Sequence, residues 1–164
     1  MNNSKLVIAD NLFRIKSMRA RTLCDLANLT GIKLSTLKSW SQCKSFPSLK
    51  MLDRFCDKLR IHTSDMLEED TQFLTPYSGP NASHRQFLIN FISQCNAHHL
   101  LNDADILEFL NDHNGIIDVE TDRDTISIDA LHSYKRKANG RQIPIHKVDY
   151  IADQFKIKSF MLLR

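Results

Sequence analysis

Glycine is scarce in this 164-residue chain, with 4 residues, and proline is equally rare at 4. So few glycines leave little material for phosphate-cradling loops or a nucleophile elbow, and neither motif is present. The 4 cysteines, Cys24, Cys43, Cys56 and Cys95, include no CxxC pair and are followed by no HxxxH. That spacing predicts reduced thiols packed as small hydrophobes in a cytoplasmic protein. No stretch approaches the ~18 uninterrupted apolar residues of a membrane span. The start, MNNSKLVIADN, has no long apolar core and carries Asp10, so a secretory signal is not expected. His98 and His99 lie near Asp103, Asp105 and Glu108, but adjacent histidines cannot share a helical face and no HExxH exists. They read as a solvated acidic loop and helix start. No metal or cofactor is expected, and no catalytic residue stands out.

What the chain does have is charge in blocks. The net charge is only +3. Residues 1–60 nevertheless hold 12 Lys and Arg against 4 Asp and Glu, whereas residues 103–129 hold nine acids and one cation, Arg123. Residues 130–164 turn basic again, with eight cations against two acids. Two basic blocks separated by acidic ones predict two polyanion-facing surfaces.

The stretch TPYSGPNAS, residues 75–83, interrupts any helical pattern. This divides the chain into residues 1–70, a linker at 71–84, and residues 85–164. The first part reads as five short helices in a mainly α fold. Leu12 and Ile15 share a face of the first, which ends before Ala20. Thr22 with Asp25 three residues on is a capping-box pattern, and Gly31 stops the second helix. The third runs through Leu37 and Trp40, leaving Lys33, Ser35, Thr36, Lys38, Ser39 and Gln42 outward. Pro47 sits where a first helical residue would, ahead of Leu49, Leu52, Phe55, Cys56 and Leu59. Thr63 is expected to cap a last turn carrying Met66 and Leu67.

Two helices flanking a tight turn at Gly31, the second carrying short polar and basic groups without a carboxylate, form a helix-turn-helix pattern suited to a major groove. Residues 11–69 resemble the Cro/C1-type (XRE) helix-turn-helix regulators, through TLCDLANLTGI, STLKSW, KSFPSLKMLDRFCDKLRI and SDML. The resemblance implies a five-helix, lambda-repressor-like domain whose third helix enters DNA, and a sequence-specific transcriptional regulator, foremost a repressor of phage or mobile-element type. It places Lys33, Leu34, Ser35 and Ser39 at base edges, and Thr22, Lys38, Gln42 and Lys44 at phosphates. Lys33 replaces the usual small cap, Arg21 stands where an apolar residue is common, and Cys43 stands where glycine often ends the third helix. An alternative is an antitoxin or adaptor, with a C-terminal half that binds a protein while the helix-turn-helix autoregulates.

The second part is expected to be mostly helical. Phe87, Leu88, Phe91 and Ile92 mark one helix, and Asp103 or Asp105 can cap another, DILEFLNDHN, ended by Gly115. IIDVETDRDTISI suggests a β-hairpin or an extended loop, ALHSYKRK resumes the helix, and VDYIADQFKIKSFMLL is a last helical stretch. LSTLKSW pairs with IDALHSY at an offset of 94, FCDKLRI with IADQFKI at 96, and SDML with SFML. LCDLANLTG can be matched to LEFLNDHNG at 84. This half either is a second, degenerate helix-turn-helix or only shares its apolar spacing. In the first case Tyr134 replaces Trp40, Leu131 replaces Leu37, and Lys135, Arg136, Lys137 and Arg141 offer a second DNA contact. In the second, Phe87, Leu88, Phe91 and Ile92, with Phe160, Met161 and Leu162, form a face that pairs two chains. A homodimer on double-stranded DNA is the expectation.

Overall fold

A computed structural model describes residues 3–112, 126–135 and 143–164. The first half contains α1 (Ser4–Arg19), α2 (Leu23–Thr30), α3 (Leu34–Ser41) and α4 (Leu49–Leu59), then a 3-10 turn at Ser64–Leu67 in place of a fifth α-helix. The second contains α5 (Ser83–Ala97), α6 (Asp103–Asn111), α7 (Ile128–Lys135) and α8 (Ile145–Gln154), then a 3-10 turn at Ser159–Leu162. The protein is mainly helical, with no strand among the described residues. No helix among them is long and apolar enough to cross a membrane. The hairpin expected around 116–128 falls largely outside the described residues, and Ile128 opens α7.

Several expected helix ends move, each for a local reason. α4 begins at Leu49, two residues after Pro47, with Ser48 as its cap accepting from the Met51 amide. The Pro47 carbonyl accepts from Ile145 and the Leu49 amide donates to Ile143, so neither enters the helix's own hydrogen bonds, which start from the Ser48 carbonyl. Thr63 precedes its 3-10 turn, but its hydroxyl donates to Asp53 at 2.7 Å instead of capping. α6 is capped by Asn102, whose side-chain oxygen accepts from the Asp105 amide at 3.0 Å, and the helix stops at Asn111. α5 starts inside the expected linker, at Ser83.

The two halves repeat one another in detail. α3 and α7 are related by 94 residues, and α4 and α8 start 96 apart, as the paired motifs predict. Arg60 and Lys156, also 96 apart, both take the left-handed conformation, at φ 52 and φ 56. Each precedes the same closing bond, from the Ile61 amide to Cys56 and from the Ile157 amide to Ala152. Asn11 reaches the carbonyls of Asp65, Met66 and Glu68, while Asn90 reaches those of Met161 and Arg164. The terminal turns themselves, Ser64–Leu67 and Ser159–Leu162, lie 95 apart, as SDML and SFML do and one short of the α4–α8 offset. The α6 register also differs: its Asn102–Asp105 cap stands where Thr22–Asp25 does, an offset of 80 and not 84.

A local two-fold joins the halves. Ser48 and Pro144, 96 residues apart, form an antiparallel bridge. The Leu49 amide donates to Ile143 at 3.2 Å, and the equivalent Ile145 amide donates to Pro47 at 3.4 Å. Ser4, opening α1, donates its amide (2.9 Å) and its hydroxyl to Asp149 of α8, which also takes the Ser159 hydroxyl. Ser83, opening α5, donates its amide (3.1 Å) and its hydroxyl to Asp53 of α4, which also takes Thr63. Each half therefore starts its first helix on the fourth helix of the other. Burial raises the Asp53 carboxyl above its ordinary range, against the bonds from Ser83 and Thr63 that lower it.

The buried apolar residues form one cluster running through both halves. Phe87, Leu88, Phe91 and Leu162 are buried in it, so most of the face expected to pair two chains is used within one chain. Only Ile92 and Met161 of that face are exposed.

Candidate nucleic-acid interface

The α2–α3 pair is built from strictly local signals. Thr22 accepts from the Asp25 amide at 3.1 Å while its own amide donates to the Asp25 carboxylate at 2.9 Å, completing the capping box. α2 ends at Gly31, whose left-handed φ of 70 suits a residue without a Cβ, and its amide closes on Ala27 at 2.8 Å. Ile32 is buried behind the turn, and Thr30 ties its hydroxyl to Leu26 at 2.8 Å. Leu37 and Trp40 then anchor the inner side of α3, with Trp40 edge-on to Phe55 of α4 at 6.0 Å. Their burial turns the other side of α3 outward.

On that side Lys33, Ser35 and Lys38 are exposed, and Leu34, Thr36 and Ser39 are half-exposed. Gln42 is exposed at the C-cap and Lys44 just beyond, after Cys43 has taken the left-handed position at φ 54. Lys33 makes no side-chain cap, so the first amides of α3 keep their orphan donors beside an ammonium group. Among the described residues no ion pair engages Lys33, Lys38 or Lys44. The helix itself carries no carboxylate. Such a face offers hydrogen-bond donors and net positive charge at helical spacing, which suits phosphates and base edges.

Not every expected contact is available in the same way. The Thr22 hydroxyl donates to Asp25 at 2.9 Å, so its donor is already engaged and the α2 amides are what remain for an anion. Arg21, exposed beside that cap, supplies a cation that the sequence reading treated only as a departure. In the second half, Leu131 and Tyr134 are buried as Leu37 and Trp40 are. Lys135 is held by Asp103, which also meets His132 at 2.8 Å. The Lys135 hydrogen bond foremost, and that of His132 after it, hold the Asp103 carboxyl below its ordinary range against the opposing effect of burial. Arg136, Lys137 and Arg141 lie outside the described residues.

Elsewhere, His98 packs against the rings of Phe109 and Phe155 at 5.2 and 5.3 Å. Among the described residues no group of three or more His, Cys, Asp or Glu side chains is placed to hold a metal ion. All four cysteines are free, yet only Cys56 and Cys95 are buried; Cys24 is exposed because it lies opposite Leu26 on α2. No family model, curated protein or solved structure matches this chain.

Proposed function

We propose that this chain is a sequence-specific DNA-binding transcriptional regulator of the Cro/C1 type, acting foremost as a repressor. In this reading the first half is a lambda-repressor-like helix-turn-helix domain, with a 3-10 turn as its fifth helix. The observation that carries it is the outer face of α3, which is carboxylate-free and bears ammonium groups that no acid among the described residues engages. Repression is steric: α3 lies in the major groove and obstructs polymerase. Lys33, Leu34, Ser35 and Ser39 meet base edges, while Arg21, Lys38 and Lys44 meet phosphates, with Gln42 at the backbone beside them.

The test is salt. Three phosphate contacts, from Arg21, Lys38 and Lys44, give a slope of about −2.7, so affinity should fall about 40-fold between about 50 and 200 mM salt. Ser35→Ala should flatten sequence preference, whereas Lys44→Ala should weaken all sequences alike and lower the slope by about 1. Binding indifferent to salt over that range would overturn the reading.

A further inference from the structure

We infer that one chain is a pseudo-dimer that occupies a whole two-part operator alone, with α3 on one half-site and α7 on a second, weaker one. This rests on the DNA-binding reading above and extends it to stoichiometry and operator form. The bridge joins Ser48 to its own equivalent, Pro144, and the exchanged pairs Ser4–Asp149 and Ser83–Asp53 are equivalent bonds on the two sides of one axis. Points related by a two-fold stand level along its axis, so α3 and α7 lie at one height on opposite sides. A two-fold of that kind matches the local symmetry of duplex DNA. Ser48, at the axis, follows the end of α3 by only seven residues, a tether of at most about 24 Å. Half the spacing between successive half-sites is about 17 Å, within that reach.

The two helices do not carry equal chemistry. At the register of Lys33, Leu34, Ser35 and Ser39 the second half has Ser127, Ile128, Asp129 and Ser133. Ser127 caps α7 through the Ala130 amide at 3.2 Å, a cap that Lys33 does not provide for α3. Exposed Asp129 stands where Ser35 does, able to accept from a cytosine amino group but not to donate to a purine. Asp103, at the start of α6, puts a carboxylate where Leu23 stands in the first half and holds Lys135 and His132. Phosphate contact at this half-site therefore competes with an internal acid. The first half-site supplies most of the affinity, and the second lengthens the sequence read.

The experiment uses the full chain and 40-base-pair duplexes that it selects from a random pool. Native mass spectrometry should give one chain per duplex, and hydroxyl-radical footprinting should show two protected patches one helical turn apart. Ser35→Ala should relax the sequence preference within one patch only, and Asp129→Ala that within the other only, each by about tenfold. Asp103→Asn, which frees Lys135, should tighten binding several-fold and steepen the salt slope by about 1. Thermal melts of each variant separate loss of contact from loss of fold. Two chains per duplex, a single patch, or an Asp103→Asn protein with unchanged affinity and slope would overturn the pseudo-dimer and leave DNA recognition through α3 standing. Failure to select any sequence would overturn both.

Discussion

Truncating Asp149 to alanine should destabilise the whole molecule, although the residue sits on one helix of the second half. Its carboxylate takes the Ser4 amide, the Ser4 hydroxyl and the Ser159 hydroxyl, and it is only 7% exposed. The two hydroxyls can rotate toward other acceptors. The amide cannot, because the first amides of a helix have no intrahelical carbonyl. One stranded buried amide costs about 1–3 kcal/mol, and two weakened hydroxyl bonds bring the expected loss to about 3 kcal/mol. In a protein of this size that lowers Tm by about 6–12 °C. Ser4→Ala removes a single bond and should cost about 1–2 kcal/mol. Circular dichroism during heating and in urea reads both, and one cooperative transition should shift as a unit. An Asp149→Ala protein melting within about 1 °C of the parent would refute the interface energetics. So would a second transition with the first half unaffected.

Trp40→Ala should cost about 3–5 kcal/mol, since it empties a site that is 2% exposed and removes the edge contact with Phe55; urea midpoints check this. Gly31→Ala meets no neighbouring atom but must hold φ at 70, so about 1–2 kcal/mol of purely conformational cost is expected in the same assay. Asp53 binds its proton more tightly in the fold than in the unfolded chain, so its contribution is full below its ordinary value of 3.8 and is lost as pH rises above it toward the raised value. Asp53→Asn should lose less stability over that rise, and identical pH slopes for the two proteins would contradict the assignment. Thr22→Ala should cost about 1 kcal/mol through the lost cap, read by thermal melts.

What could be read from the sequence was what local physics decides. The Thr22–Asp25 cap, the Gly31 turn and the 3-4 spacing of α3 and α4 each depend on residues within one turn of each other. The 94 and 96 offsets were visible because LSTLKSW and IDALHSY, like FCDKLRI and IADQFKI, keep their apolar positions. The α6 register was not, because LEFLN fits two alignments and only the Asn102 cap separates them. Ser4 with Asp149 was hidden for a different reason. The partners are 145 residues apart, and an aspartate on a helix ordinarily reads as solvated. Pro47 misled because its position invites a helix start, while the pairing with Ile145 that displaces the start lies across the molecule. At the candidate interface, Asp103 was read as a cap and turned out to clamp Lys135, a pairing that only the meeting of α6 and α7 creates.

The exchange of amino-terminal serines between the halves also changes how the assembly responds to abundance. Two separate chains meeting this way would come apart on dilution, and their joint unfolding midpoint would drift with concentration. Here the linker makes the encounter unimolecular, so neither effect arises. On the pseudo-dimer proposal, occupancy of a DNA site would climb with the first power of copy number, a hyperbolic dose curve in place of a threshold. Identity between the halves is no longer enforced either. In a homodimer every mutation strikes twice, whereas here Asp129 can change without Ser35, and each half drifts under its own selection.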